Sequence, residues 1–201
     1  MAPYEPPPTA SFHSARLLYR APEDNEEDRA FLQHAILNDS TIQAVSTSRL
    51  RRPLPQRSAE EFIKALQSSL LGVIICLPPP QTTPKPIPIG HLGFFNTWGA
   101  NVEHNRNTML GISLAEPYRG KGYGAEAINW GLDWAFLHAG LHRVSLNAFA
   151  YNERAVRLYR RLGFVEEGRE REALLHMRRW HDVINFSMLE GEWARLRGWM
   201  E

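Results

Sequence analysis

A glycine-rich turn past the middle of the chain has the residue types and spacing to bind an anion. It runs Arg119-Gly120-Lys121-Gly122-Tyr123-Gly124, between a strand-like apolar run (109–115) and a helix-like amphipathic pattern (125–139). A helix that begins in such a turn leaves backbone N–H groups unpaired, and its dipole adds partial positive charge there. Glycine is needed because a Cβ would hold the ligand away from the backbone. The turn therefore predicts a phosphate or pyrophosphate site, with the side chains of Lys121 and Tyr123 pointing outward.

The spacing of the glycines distinguishes three kinds of phosphate-binding turn. A P-loop needs Ser or Thr after its lysine, whereas Gly122 follows Lys121. A dinucleotide-binding turn needs an acidic residue at the end of the next strand, but residues 143–150 end in apolar side chains. The third pattern, [Q/R]-x-x-G-x-[G/A], has Arg119, Gly122 and Gly124 in register. For the glycines alone, an ordinary tight turn between strand and helix stays the alternative.

A second constellation lies on a short predicted helix, residues 152–162. At about 100° per residue, Asn152 and Tyr159 lie within about 20° of each other on its surface. This places an amide and a phenol together at the boundary between core and water, although Asn152 could be only an N-cap. A group of arginines falls on roughly the opposite, solvated side: Arg154, Arg157 and Arg161.

Together the two motifs resemble the signatures of the GCN5-related N-acetyltransferases. The first resembles the acetyl-CoA cradle of that family. The second is the run Asn152-Glu153-Arg154-Ala155-Val156-Arg157-Leu158-Tyr159, followed by Leu162-Gly163-Phe164 and Glu167-Gly168. The resemblance covers about residues 14–193. Residues farther along the chain resemble the subgroup of ribosomal-protein N-terminal acetyltransferases (RimJ/RimL-like) and their small-amine relatives: Arg169-Glu170, Trp180-His181-Asp182 and Glu192-Trp193.

The resemblance implies direct attack of a neutral primary amine on the carbonyl of acetyl-CoA, the co-substrate. It implies that Tyr159 is catalytic, with its hydroxyl near the thioester sulfur, where it can protonate the leaving thiolate. A backbone N–H near residues 112–114 is expected to stabilise the oxyanion. The residues expected to bind acetyl-CoA are Ile112, Ser113, Leu114, Arg119, Gly120, Lys121, Gly122, Tyr123, Gly124 and Asn152.

The group that deprotonates the amine is left open. Many relatives carry Glu two residues before the glycine that Gly111 matches, and this chain has Met109 there. Glu103, His104 and a water relay are the alternatives. A catalytically silent CoA-binding or partner-binding module is the competing function. Tyr159 argues against it, because a binding-only domain needs no acid at the thioester.

The acceptor amine is also open: a small-molecule amine, an amino acid or a peptide N-terminus. The loops expected to shape its pocket are residues 39–58 and 98–106. Their arginines outnumber their acidic residues, which disfavours a polyamine, because a multivalent cation is costly to desolvate unpaired. The balance favours an acceptor with carboxylates, unless the arginines face solvent or the phosphates of CoA. The charged residues in question are Arg49, Arg51, Arg52 and Arg57 against Asp39 and Glu103.

The composition fits an ordinary globular protein. The 201 residues are 43% hydrophobic and 22% charged, with a net charge of +1, so no nucleic-acid partner is expected. No signal peptide and no apolar run of about 20 residues is present, so no membrane partner is expected.

The single cysteine, Cys76, fits a reducing, cytoplasmic location. His176 and His181 are five residues apart, which does not suit a helical metal pair, and no metal is expected. The oligomeric state is left open.

The order of predicted elements indicates an α/β (α+β) fold with a mixed sheet. A flexible tail, residues 1–13, would precede a single domain, residues 14–201. The family resemblance adds that the sheet is mostly antiparallel, splayed near its middle and flanked by helices. Strands are predicted at 14–20, 70–77, 89–97, 109–115, 143–150, 164–167 and 182–190, and helices at 24–38, 59–69, 125–139 and 152–162, with a proline-rich hairpin loop at 78–88.

Overall fold

The fold is seen in a computed structural model, which describes residues 12–81, 84–96, 99 and 102–199. Most of the predicted tail, residues 1–11, lies outside the described residues. Phe12 and His13 lie beside the first strand: the Tyr19 N–H donates to the Phe12 carbonyl at 2.8 Å, and His13 forms a bridge with Leu18.

Seven strands form one sheet in the order β1-β2-β3-β4-β5-β7-β6. Among the described strands the pairings are antiparallel except that of β4 with β5, so the predicted mixed, mostly antiparallel sheet is confirmed. The strands are β1 (Leu18–Arg20), β2 (Leu71–Leu77), β3 (Ile87–Phe95), β4 (Asn107–Leu114), β5 (Arg143–Phe149), β6 (Val165–His176) and β7 (Arg179–Leu189).

Helices flank the sheet. They are α1 (Glu26–Phe31), α2 (Ser40–Ser46), α3 (Arg57–Gln67), α4 (Tyr123–Asp133), α5 (Glu153–Arg161) and α6 (Glu190–Leu196). Wider, π-type turns continue α1 over Leu32–Leu37 and α4 over Trp134–His138. Short 3-10 turns, Glu103–Asn105 and Glu116–Tyr118, precede and follow β4.

Two apolar clusters hold these layers together. The larger one joins the sheet to α4, α5 and α6, and includes Phe94, Ile128 and Phe186, all fully buried. The smaller one, which includes Ile63 and Ile74, lies between the sheet and the first three helices. Burying one such side chain contributes about 1.5–3 kcal/mol, so the two clusters fix the helices on both sides of the sheet.

The sheet opens between β4 and β5, as predicted. The two strands pair only at their starts, where Asn107–Met109 lie beside Arg143–Ser145. Beyond this point β4 stays paired with β3, and β5 stays paired with β7 along its whole length. The edge of β4 from Leu110 to Leu114 is therefore left facing a gap in the sheet.

Four segments differ from the sequence-based expectation. Residues 39–58 are not all loop, because α2 forms within them. Its N-cap, Asp39, accepts hydrogen bonds from the N–H groups of Thr41 and Ile42. The strand expected at 164–167 is the start of β6, which has 12 residues, and α6 follows β7 where no helix was predicted. The proline-rich loop is shorter than expected, and residues 82–83 of it lie outside the described residues.

Candidate active site

A cleft of about 440 Å³ lies where the sheet opens. The open end of β4, the glycine-rich turn, the first turn of α4, the start of α5 and one face of α2 enclose it. Eight residues predicted to bind acetyl-CoA line it together: Ile112, Ser113, Leu114, Arg119, Gly120, Gly122, Gly124 and Asn152.

The glycine-rich turn presents its backbone to this cleft. Gly120 and Gly122 have φ values of +84° and +86°, a conformation that L side chains rarely adopt. Gly122 is the N-cap of α4, and the first helical bond runs from the Glu126 N–H to the Gly122 carbonyl at 3.2 Å. The N–H groups of the first three helical residues therefore have no partner within the helix, and they can bind an anion.

The open edge of β4 adds a second set of backbone groups. The Ala115 N–H donates to the Ile89 carbonyl of β3 at 2.8 Å. Successive residues of a strand point their backbone groups to opposite sides, so those of Ile112 and Leu114 point toward the gap. Arg119 already donates to the Leu114 carbonyl at 2.8 Å. The N–H and carbonyl of Ile112 and the N–H of Leu114 thus face the cleft.

Asn152 both caps α5 and lines the cleft. Its Oδ1 accepts a hydrogen bond from the Ala155 N–H at 3.3 Å. The side-chain amide hydrogens are the part of Asn152 that can donate to a bound molecule. The N-cap role and the ligand-binding role weighed for this residue are therefore compatible.

Tyr159 lies on α5 with the cleft-lining residues Ala155 and Leu158, but it does not itself line the cleft. Its ring makes edge contacts with Phe164 and Phe186, with centroids 6.0 Å apart in each case. Burial raises the pKa of Tyr159 to about 12. The hydroxyl therefore keeps its proton at neutral pH and can act as a donor.

The two cationic side chains of the turn contact other parts of the protein. The guanidinium of Arg119 is shared between the Leu114 carbonyl and Asp39, to which it donates at 2.6 Å. Burial pushes the pKa of Asp39 up, but the Ile42 N–H and the Arg119 guanidinium outweigh it, and the pKa lies below its ordinary value. Arg119 thus connects the turn to the cap of α2. The ammonium of Lys121 lies 5.8 Å from the ring centroid of Tyr118.

Arg16 supports the outer side of the turn, a role that the sequence did not suggest. It donates to the Glu126 carboxylate at 2.7 Å and to the Lys121 carbonyl at 3.1 Å. Its guanidinium also stacks over Tyr123, 4.7 Å from the ring centroid. Lys121 and Tyr123 therefore direct their side chains away from the cleft, as predicted for residues that serve through their amides. Neither of the two lines the cleft.

Arg154 and Arg161 line the cleft, although the sequence placed them on a solvated face. A Cβ built on Gly120 would lie 3.6 Å from Nη2 of Arg154, so this guanidinium reaches the glycine-rich turn. Arg157 differs, because it pairs with Glu153 at 2.8 Å and does not line the cleft. The packing of α5 beside the turn brings Arg154 close to Gly120, which a helical wheel does not reveal.

A second, larger cavity of about 920 Å³ lies on the other side of α2. Ile42 and Val45 of this helix face the cleft, whereas Gln43 and Ala44 face the larger cavity. The turn after β5 also contributes to both spaces, because Tyr151 lines the larger cavity and Asn152 lines the cleft. The hydroxyl of Tyr151 donates to the Ala44 carbonyl and fastens the turn to α2. These two elements form a thin wall between two ligand-sized spaces.

The larger cavity contains a candidate proton acceptor, His176. Its ring stacks on Tyr151 with centroids 4.3 Å apart, and His181 meets the same tyrosine edge-on at 4.9 Å. The proposed bases Glu103 and His104 lie in the exposed 3-10 turn before β4 and line neither space. His176 reaches the cavity because β6 extends as far as this residue and pairs with β7. The sequence predicted a strand of only four residues there, so it could not reveal this position.

Comparison with known proteins identifies the family of the chain. The model of the acetyltransferase (GNAT) domain family matches residues 16–165. The chain is 34% identical over 89 residues to a spermidine N(1)-acetyltransferase of Vibrio cholerae, covering 44% of this chain and 51% of that protein. It is 30% identical over 85 residues to the ribosomal protein uS5 alanine N-acetyltransferase of Escherichia coli, covering 42% of this chain and 44% of that protein. The chain spans about half the length of the curated relatives it matches.

Solved structures share the fold. The crystal structure of Vibrio cholerae spermidine N-acetyltransferase in complex with CoA and spermine matches with a TM-score of 0.72 and 24% identity, over 90% of this chain and 99% of that one. A GNAT-family acetyltransferase from Bacillus anthracis matches with a TM-score of 0.70 and 22% identity, over 90% of this chain and 98% of that one. Within the part of the chain that the structure describes, no helix is long and apolar enough to cross a membrane.

Proposed function

The chain belongs to the acetyltransferase (GNAT) domain family, and from this we propose that it transfers the acetyl group of acetyl-CoA to a primary amine by direct attack. One observation carries the proposal: the unpaired amides of α4 and the open edge of β4 meet in the same cleft. The unpaired amides of α4 suit a pyrophosphate, and the open edge of β4 suits an extended chain with amide groups. We also propose that residues 14–201 form the catalytic domain and that the protein acts in the cytoplasm.

The cleft fits acetyl-CoA as a co-substrate. The N–H groups at the start of α4 would hold the pyrophosphate, with Arg154 adding charge from the facing helix. Ile112 and Leu114 would pair with the pantetheine arm as a neighbouring strand does, and Asn152 would donate to its carbonyl groups. A Cβ at Gly124 would project between Leu114 and Leu158, two residues that line the cleft. The absence of a side chain there keeps the cleft open.

The same groups would account for acyl transfer. A backbone N–H on the open edge of β4, with that of Ile112 best placed, would stabilise the oxyanion that develops on the acetyl carbonyl. Tyr159 would donate to the departing thiolate. A phenol whose pKa is about 12 is a weaker acid than a free thiol of pKa near 8.5. Its first contribution is therefore a hydrogen bond that stabilises negative charge, with proton transfer favoured only where burial raises the thiol pKa as well.

The acceptor would enter through the larger cavity and meet the thioester at the end of the wall formed by α2. This arrangement would keep the two substrates apart until their reacting atoms meet, so acceptor binding would not block the CoA cleft. His176, which lines this cavity, would take the proton of the ammonium group, directly or through water.

Release of free CoA thiol with a panel of amines and peptides tests the proposal. We expect acetyl-CoA-dependent thiol release with at least one acceptor. Mass spectrometry should show that this acceptor has gained about 42 Da, because one acetyl group replaces one hydrogen of the amine.

Tyr159→Phe should lower turnover by about 10²-fold with acetyl-CoA affinity nearly unchanged. A protein that binds CoA but transfers to no acceptor would instead be the silent module. A Tyr159→Phe variant with wild-type turnover would remove Tyr159 from the mechanism.

A further inference from the structure

The larger cavity has an unusual charge distribution. Its lining includes Arg49, Arg51, Arg52 and His176, and among the described residues that line it there is no Asp or Glu. All three arginines are exposed, and none of them forms an ion pair with a described carboxylate. Three cations thus face one concave space without a counter-charge, which concentrates positive potential there.

The backbone of this arginine segment is held in place. Gln43 of α2 accepts from the Arg52 N–H at 3.1 Å and donates to the Arg52 carbonyl at 3.0 Å. Gln33 and Asn38 both donate to the Leu54 carbonyl. The arginines therefore stand on a fixed segment while their guanidinium groups stay free to bind.

The position of the segment shows which ligand it can reach. The arginines lie on the face of α2 opposite to the CoA cleft, so they do not face the glycine-rich turn. They therefore lie away from the groups proposed to hold the pyrophosphate. The cleft has its own cations, Arg154 and Arg161.

The rim of the cavity is apolar. Leu50 is 88% exposed and Leu175 is 63% exposed, and both line the cavity. Met177 is 73% exposed, and its sulfur lies 4.0 Å from Nη2 of Arg51. A space of about 920 Å³ lies at the upper end of the usual range for ligand pockets. Its size, its apolar rim and its positive interior suit a chain of several residues better than a single amino acid.

We propose that the acceptor is the N-terminus of a peptide or protein whose following residues are acidic, and that Arg49, Arg51 and Arg52 select it. The inference rests on the proposed function, since the amine must reach the thioester. Carboxylates of the second to fourth residues would pair with the guanidinium groups while the terminal amine passes the end of α2 beside His176. A polyamine would meet three cations and, among the described lining residues, no carboxylate, so the cavity would repel it.

Binding of two labelled peptides tests the inference independently of turnover. The peptides have the same N-terminal alanine and differ only in carrying Glu or Lys at positions two to four. We expect the protein with CoA to bind the acidic peptide at least tenfold more tightly by fluorescence anisotropy. The difference should shrink in 500 mM salt, because charge pairs in an open cavity are screened.

Matched variants assign this preference to the cavity. Arg51→Gln combined with Arg52→Gln should bring the ratio of the two affinities close to one. Arg57→Gln changes an arginine of the same segment that does not line the cavity, and it should leave the ratio unchanged. These side chains are exposed, so the variants are expected to fold with wild-type melting temperatures.

Several results would overturn the inference: equal binding of both peptides, tighter binding of spermidine or of an oligonucleotide, or a ratio unaffected by the double substitution. Failure of the proposed function would look different. In that case the acidic peptide would bind as expected, but no acceptor would be acetylated.

Discussion

At the scale of single residues, the structure separates arginines that the sequence grouped together. Arg154 and Arg157 are neighbours on α5 and were both assigned to solvent. Arg154 reaches the glycine-rich turn, whereas Arg157 is exposed and paired with Glu153. A cation beside an anion site strengthens binding, and an exposed ion pair one turn away contributes little.

The two arginines give a matched pair of variants. Arg154→Gln should weaken CoA binding by about five- to tenfold, because it removes a charge-assisted hydrogen bond worth about 1 kcal/mol or more. Arg157→Gln should leave the affinity within about twofold. Calorimetric titration with CoA measures both. Equal affinities of the two variants would show that Arg154 does not contact the phosphates.

At the scale of elements, a strand, a turn and a helix together form the proposed cradle, and two side-chain connections hold them. Arg16 fastens the turn to the segment before β1, and Arg119 fastens it to the cap of α2. The same α2 separates the two cavities. Arg119 and Asp39 therefore connect the turn to a helix that lines both spaces, although neither residue itself lines the larger cavity.

Gly124 tests the cradle with the least damage to folding. A Cβ there would lie 3.7 Å from Leu114 and 3.9 Å from Leu158, which are ordinary contacts, and its φ is not positive. Gly124→Val should therefore fold, and it should raise the dissociation constant of acetyl-CoA tenfold or more, about 1.4 kcal/mol. Gly122→Val is a poorer test, because φ at Gly122 is +86° and backbone strain would be added.

Gly191→Ala, in an open position of α6, is the control for a glycine substitution in a helix. It should leave CoA affinity unchanged. If a folded Gly124→Val protein binds CoA like the wild type, the cleft is not the acetyl-CoA site.

At the scale of the whole molecule, His91 connects stability to pH. It lies in β3, 6% exposed, with an edge contact to Phe62, and its Nδ1 bonds to no described group. Burial lowers the pKa of His91 from 6.5 to about 4. Between these values the unfolded chain binds a proton that the folded protein does not, so stability falls as the pH falls from 6.5 toward 4.

The loss should amount to about 3 kcal/mol, since each pKa unit corresponds to about 1.4 kcal/mol. His91→Leu should therefore flatten the dependence of the unfolding free energy on pH in this window. Urea unfolding at pH 7, 6, 5 and 4 measures it, and exposed His138→Gln is the control. An equally steep loss of stability in His91→Leu would assign the effect to other groups.

The sequence by itself determined the parts that depend on local order. Glycines at fixed spacing between an apolar run and an amphipathic run give a strand, a turn and a helix, and the backbone amides of that turn follow from its geometry. The period of residues 152–162 likewise gave α5. The mostly antiparallel, splayed sheet came from the family resemblance of these motifs, and not from periodicity.

Tertiary structure decided which distant groups share a space. Residues 39–58 are polar and interrupted by proline, so local pattern predicts a loop, but Asp39 caps α2 and Ile42 docks it on the sheet. The wall that separates the cleft from the arginine-lined cavity exists only because of this docking. His176 reaches that cavity because β6 pairs with β7, and Arg154 reaches the turn because α5 packs beside it. Contacts between residues far apart in the chain depend on long-range packing, which local periodicity does not encode.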